Sequence, residues 1–329
     1  TFEKLKLFNL NILFFLFLII SLIQFLKSGV PGLSTNPDLA RTEWDLNIKL
    51  QILTEIIFRT SFLLTIGKII IKEKLKISSK IIIFYVLLYS ILSSARSFFL
   101  ECLFYIFIAY LIKSETINFL KENSLVFYKN IIKAIKRNFI YIFFGINLFF
   151  IFIILGELRM RGEEFNAFEY SQADINIPLF LQPIVSWLWG YLVANMHNLR
   201  LIIDENFKNE AFSNVAGPLL SAFQIMDYVE VDSFIYIGKY NLGTALRPWI
   251  VDFGAEIGII IFGFIWSLIT LIPEKTKNIH LRSSLLILII YFGLMIPITS
   301  RIQIIPFLVP MLILMFLDKI RGFNIFYKK

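Results

Sequence analysis

The sequence predicts an all-α fold: a polytopic helical membrane protein with about eight transmembrane helices and one large external loop region that contains a re-entrant or interfacial helix. Three observations predict it. Hydrophobic residues make up 57% of the chain, 36 positions are Phe, and the mean hydropathy of +0.74 exceeds what the core of a soluble 329-residue protein needs. The apolar runs are continuous rather than alternating, which suits helices that satisfy their own backbone hydrogen bonds in lipid and does not suit barrel strands. Lys and Arg gather in alternate connections, as the positive-inside rule requires of a chain that crosses the membrane repeatedly.

The first apolar run, 8–26, is too long for the hydrophobic region of a signal peptide and has no small-residue cleavage site, so it reads as a span. The chain opens at Thr1 rather than Met, so residues upstream are expected to be missing. Further runs near the length needed to cross hydrocarbon follow at 49–71, 81–95, 97–112 and 139–156, then at 250–272, 283–299 and 302–317. Segments 1–7, 72–80, 113–138, 273–282 and 318–329 hold nineteen of the 32 Lys and Arg residues and are therefore assigned to the cytoplasm. The opposite side receives 27–48, the turn at Arg96, the polar island 157–249 and the turn at Ser300 and Arg301. The net charge of +8 is thus mostly a topology signal, with little in it that asks for nucleic acid.

The run Ile177 to Ile203, with Trp187, Trp189 and Tyr191, is apolar enough for a ninth span. One extra crossing would place Lys275, Lys277, Arg282 and the Lys328-Lys329 tail outside, so this run is expected to lie at the outer face with its aromatics in the headgroup layer. Three regions result: 1–156 with about five spans, the external region 157–249, and 250–329 with about three spans.

Most soluble-enzyme signatures are missing. The sequence has no G-x-x-x-x-G-K loop, no G-x-G-x-x-G, no H-E-x-x-H and no G-x-S-x-G elbow, which argues against ATP-driven work by this chain alone. Asp252-Phe253-Gly254 lacks the other motifs of a kinase. Two histidines, His197 and His280, and one cysteine, Cys102, do not make a histidine-rich or multi-cysteine metal site, and His280 falls in a cytoplasmic loop; neither metal nor cofactor is expected.

What remains is arginine and carboxylate chemistry on the outer side. Arg159 and Arg161 follow the fifth span, Arg247 precedes the sixth, and Arg96 and Arg301 occupy turns at the same face. Guanidinium groups bind phosphate bidentately and stay charged, so several on one leaflet suit a lipid-linked pyrophosphate, whereas any one of them alone could simply contact headgroups or a neighbouring acid. The acids Glu157, Glu163, Glu164, Asp227, Glu230 and Asp232 could neutralise some of them or bind sugar hydroxyls. His197, Arg200 and Asp204 fall at i, i+3 and i+7 and share one helical face: either an activated base beside a cation, or an Arg200 to Asp204 surface pair with a histidine near headgroups. Glu55 and Arg59, at i and i+4 in the second span, and Glu101 in the fourth imply a structural ion cluster or the floor of a cavity. Lys68 is expected to snorkel, and Gly254 and Gly258 to permit close helix packing.

The stretch Asn241-Leu-Gly-Thr244-Ala-Leu-Arg247-Pro-Trp-Ile-Val-Asp252-Phe-Gly254-Ala-Glu-Ile-Gly258, followed by an apolar helix, resembles a segment of the Wzy-type O-antigen polymerases, the oligosaccharide repeat-unit polymerases. Ser94-Ala95-Arg96-Ser97 resembles that family's small-residue-Arg-Ser turn, and Trp189-Gly-Tyr191 with Asn195 and Asn198 resembles its loop helix. The chain departs from the pattern in having about eight spans where ten or more are usual. The resemblance implies a metal-independent glycosyltransferase of the bacterial inner membrane, acting in lipopolysaccharide or other polysaccharide biosynthesis. It would move the growing glycan from undecaprenyl pyrophosphate onto a lipid-linked repeat unit at the periplasmic face. Undecaprenyl-pyrophosphate-linked oligosaccharide, membrane lipid and a chain-length regulator are the partners so implied. Arg96, Arg161, Arg200, Arg247, Arg301 and Thr244 are then candidates for substrate binding, and His197 and Asp252 for the catalytic base. An O-antigen ligase shares the arginine logic and differs in acceptor. A flippase or secondary transporter of lipid-linked oligosaccharide should show pseudo-symmetric halves, which the one large external island breaks.

Overall fold

A computed structural model describes residues 2–34, 48–71, 73–93, 96–113, 195–204, 246–296 and 304–325, with positions 143, 147 and 215. All regular structure among them is helical, as the sequence predicts. In chain order the helices are α1 (Phe2–Ser28), α2 (Ile48–Ile70), α3 (Ile77–Leu92), α4 (Arg96–Lys113), α5 (Asn195–Asp204), α6 (Arg247–Phe253), α7 (Ala255–Thr270), α8 (Ile272–Lys275), α9 (Ile279–Met295) and α10 (Ile304–Ile325), with one 3-10 turn at Pro31–Leu33. The chain divides into two compact units. The first comprises Thr1–Gly145, Ile272–Tyr291 and Pro306–Lys329, and the second Ile146–Leu271 and Phe292–Ile305.

In the first unit α2 is the central element, packed against α1, α3 and α4. Its apolar run buries Ile56, Phe58, Phe62, Leu63 and Ile66. Phe58 sits at the hub of an aromatic cluster, 5.3 Å from Phe14, 5.7 Å from Tyr85 and 4.9 Å from Tyr89 between ring centroids, mostly edge to face as ring quadrupoles prefer. Ser21 and Tyr85 share a hydroxyl hydrogen bond of 2.6 Å that links α1 to α3 inside this apolar setting. The start of α9 joins the same unit: Ser284 Oγ donates to the Leu63 carbonyl at 3.0 Å. Asn278 caps α9, its Oδ1 accepting from His280 N at 3.0 Å and Leu281 N at 3.3 Å, while Asp318 of α10 accepts from Lys277 N and Asn278 N.

The helices follow the apolar runs closely at 49–71, where α2 spans Ile48–Ile70, and at 97–112, where α4 spans Arg96–Lys113. Two expectations need correction. The run 250–272 is not one continuous helix: α6 ends at Phe253 and α7 begins at Ala255, because Gly254 adopts φ 81°, ψ 165°, outside helical space. His280 lies in the first turn of α9 rather than in a loop, its Nε2 3.2 Å from Glu73 Oε1, because the Asn278 cap starts that helix earlier than the apolar run does. Most of 139–156 and of 157–249, including the greater part of the 177–203 run, lies outside the described residues. One helical stretch among the described residues, Ala255–Lys275, is long and apolar enough to cross a membrane; Ile12–Lys27, Ile77–Leu92, Phe98–Tyr110 and Ile279–Met295 are shorter apolar helices.

Candidate functional site

The second unit carries the candidate site, and its geometry starts from Gly254. Pro248 near the start of α6 has no N–H to leave unsatisfied and a backbone preset for helix, so a helix of seven residues can begin at Arg247. Gly254 then ends it in a conformation that any side chain would strain, with Gly254 N donating to Ile250 O at 2.7 Å. The chain re-enters helix at once, Gly258 N donating to Gly254 O at 2.8 Å. At Gly258 a Cβ would run into the carbonyl of Trp249, so α7 meets the backbone of α6 directly. Aromatic packing closes the corner, with Trp249 centred 6.3 Å from Phe253 and 6.1 Å from Phe262.

This corner buries two opposite charges. Arg247 and Asp252, at the first and sixth positions of α6, are each only 6% exposed. Five residues apart on a helix, they leave its axis in directions about 140° apart. Asp252 Oδ2 accepts a hydrogen bond from Val215 N at 2.8 Å, tying α6 to a segment 37 residues earlier. Burying a carboxylate is costly without such donors, so this bond offsets part of the cost of burying Asp252.

The helix of His197 packs onto the helix of Arg247 and Asp252. Leu199 and Ile202 of α5 form one cluster with Ile250 and Val251 of α6, joined by Leu246 and Ala255. Burying a Leu or Ile in this way stabilises by about 1.5–3 kcal/mol against exposure to water. The Arg200–Asp204 pair of the same helix, Nε to Oδ2 3.3 Å and side chains 76% and 58% exposed, is worth under about 1 kcal/mol. Apolar contact therefore seats α5, and the sequence's alternative of a surface pair is the geometry that Arg200 adopts.

The two candidate catalytic residues, His197 and Asp252, thus belong to neighbouring helices, together with Arg200 and Arg247. Only the backbone position of His197 is described. Arg96 is the first residue of α4 in the other unit. Arg161, Thr244 and Arg301 lie outside the described residues.

Sequence reasoning grouped Glu55, Arg59 and Glu101 as a structural ion cluster or the floor of a cavity, and in the structure Arg59 reaches across to Glu101 of α4. Its Nε and Nη2 bind Glu101 Oε1 at 2.5 Å and Oε2 at 2.8 Å, a two-pronged fork in the buried interior. Tyr105 donates its hydroxyl to the same Glu101 Oε1, and the Phe98 ring centre lies 4.7 Å from Arg59 Cζ. Periodicity along one helix cannot reveal a partner 42 residues away. A rare Glu in an apolar run was the signal available for it. Comparison of the chain with protein-family models, curated proteins and solved structures finds no match.

Proposed function

We propose that the chain is a polytopic inner-membrane glycosyltransferase, a repeat-unit polymerase that passes a growing glycan from undecaprenyl pyrophosphate to a lipid-linked repeat unit at the periplasmic face. Its composition, its alternating Lys and Arg segments and the outward apolar side chains of its helices, such as Leu16, Ile19, Ile260 and Phe264, support the membrane reading.

One observation carries the functional reading. A short helix holds a buried guanidinium and a buried carboxylate in fixed places at the mouth of an apolar helix, and the helix bearing the second base candidate is packed against it. Fixed charges in a water-poor site stabilise developing charge far better than solvated ones. Arg247 would bind the pyrophosphate leaving group as negative charge builds on it, and a base, Asp252 or His197, would take the proton of the acceptor hydroxyl. The pyrophosphate is already a good leaving group, so this division of labour needs no further activation of the donor.

The test is the glycan made by cells lacking the chain and then complemented with it. Loss of long chains with single repeat units retained on lipid A core, restored by the wild-type chain, supports polymerase. Loss of the whole glycan from lipid A core, with long chains accumulating on undecaprenyl pyrophosphate, would show a ligase, and an unchanged glycan would refute both.

A further inference from the structure

The Arg59–Glu101 pair has no part in the proposed chemistry, yet it is built with care. Arg59 is 4% exposed and Glu101 7%; Tyr105 and Phe98, both buried on α4, pack against the pair, and Glu55, one turn before Arg59 on α2, adds its charge to the same neighbourhood. Tyr105 in turn packs edge to face on Tyr291 of α9 at 5.0 Å. Stability alone gives little reason to keep such a pair. The desolvation of two ions offsets most of their attraction, and a well-packed apolar replacement of both is often as stable or more so.

What an apolar replacement cannot reproduce is register. A two-pronged fork between planar groups is satisfied in one placement only; a slide of α4 by one residue, about 1.5 Å along its axis, breaks both bonds. Arg59 grips α4 at Phe98 and Glu101, the third and sixth residues of a helix whose first is Arg96. The grip therefore falls on the first turn and a half, where it fixes the helix start.

We propose that Arg59 and Glu101 are positioning residues: their buried fork sets the start of α4 and with it the placement of Arg96, a candidate substrate-binding residue. This rests on the polymerase reading for its functional half, while the placement of residue 96 stands apart from it.

The experiment is the double variant Arg59→Met/Glu101→Met made in a Tyr105→Phe background, which removes both members of the fork and the buried hydroxyl that would otherwise lose its acceptor. Two readouts are taken beside thermal unfolding in detergent. The first is chain elongation in the complemented strain; the second is the rate at which an impermeant maleimide labels Arg96→Cys in a Cys102→Ser background, with and without the two Met substitutions. The expected result is unfolding at or above the wild-type temperature, elongation reduced roughly a hundredfold as for other small misplacements, and a labelling rate altered several-fold. A double variant that elongates normally, or that leaves the labelling rate unchanged, overturns the proposal. If the wild-type chain supports no elongation at all, the polymerase reading fails, and labelling alone decides whether the pair places residue 96. Should the double variant not accumulate, Arg59→Lys keeps the charge and loses the fork, and the same two readouts must shift in the same direction.

Discussion

Arg247 and Asp252 are two buried charges on one short helix, and they call for different substitutions. Arg247→Lys keeps a positive charge but loses the planar fork, so on the proposed reading elongation should fall, and with Arg247→Ala it should fall further. Losing one preorganised contact to the departing pyrophosphate costs on the order of 3 kcal/mol, roughly a hundredfold in rate. The length distribution of the glycan at matched expression is the readout, and wild-type lengths with Arg247→Ala would remove the residue from the site. Asp252→Asn is the sharper companion. An amide oxygen can still accept from Val215 N, so the fold should survive with a normal unfolding temperature, while the negative charge and the basicity are gone. Lost elongation with an intact fold would assign Asp252 to chemistry; full elongation would leave it as the anchor of the segment at Val215.

At the scale of elements, the corner between α6 and α7 makes a prediction through its glycines. Gly254→Ala must place a side chain at φ 81°, a strain of about 1–3 kcal/mol, and Gly258→Ala must push aside the Trp249 carbonyl at a similar cost of about 1–3 kcal/mol. Gly263, with nothing within 4 Å of a Cβ, is the control: alanine there should raise helix stability by about 0.5–1 kcal/mol. Thermal unfolding of the three detergent-solubilised variants checks the order, and equal temperatures for Gly258→Ala and Gly263→Ala would mean that the two helices do not touch as described. The sequence made this corner half legible. The apolar runs at 49–71 and 97–112 marked α2 and α4 almost to the residue, since runs of that length and composition read as helix. The break at Gly254 was hidden by the same logic, because Phe253, Ala255 and Ile257 keep the run apolar through a residue whose conformation leaves no mark on hydropathy. The glycines announced close packing without saying against what. The seating of α5 on α6 was not legible, since Leu199 and Ile202 carry no sign of the helix that will cover them.

The whole molecule is where the charge pattern makes its claim. On the proposed topology both ends of the chain face the cytoplasm and 157–249 face outward, so a cysteine at position 232 should react with an impermeant reagent in intact cells and one at 277 should not. The reverse pattern would invert the topology and remove the periplasmic site. Cys102 is fully buried, so it should contribute little background to this labelling.

The first unit is made of three stretches of chain, and the second unit is threaded between them. The hydrogen bond from Ser284 to the Leu63 carbonyl joins residues 221 positions apart, so α2 is synthesised long before the partner that completes its packing. At 5–20 residues per second the wait is roughly 10–40 s, during which α1 to α4 must persist as an incomplete bundle. Closing so long a loop is entropically slow, and the exposed face of α2 is open to wrong partners until it happens. Residues 146–271 are therefore made inside the interval when the first unit is least finished. On the proposed membrane reading, a photoreactive side chain at position 66, fully buried in the finished protein, should cross-link to lipid or translocon far more in a chain stalled shortly after residue 271 than in the completed protein.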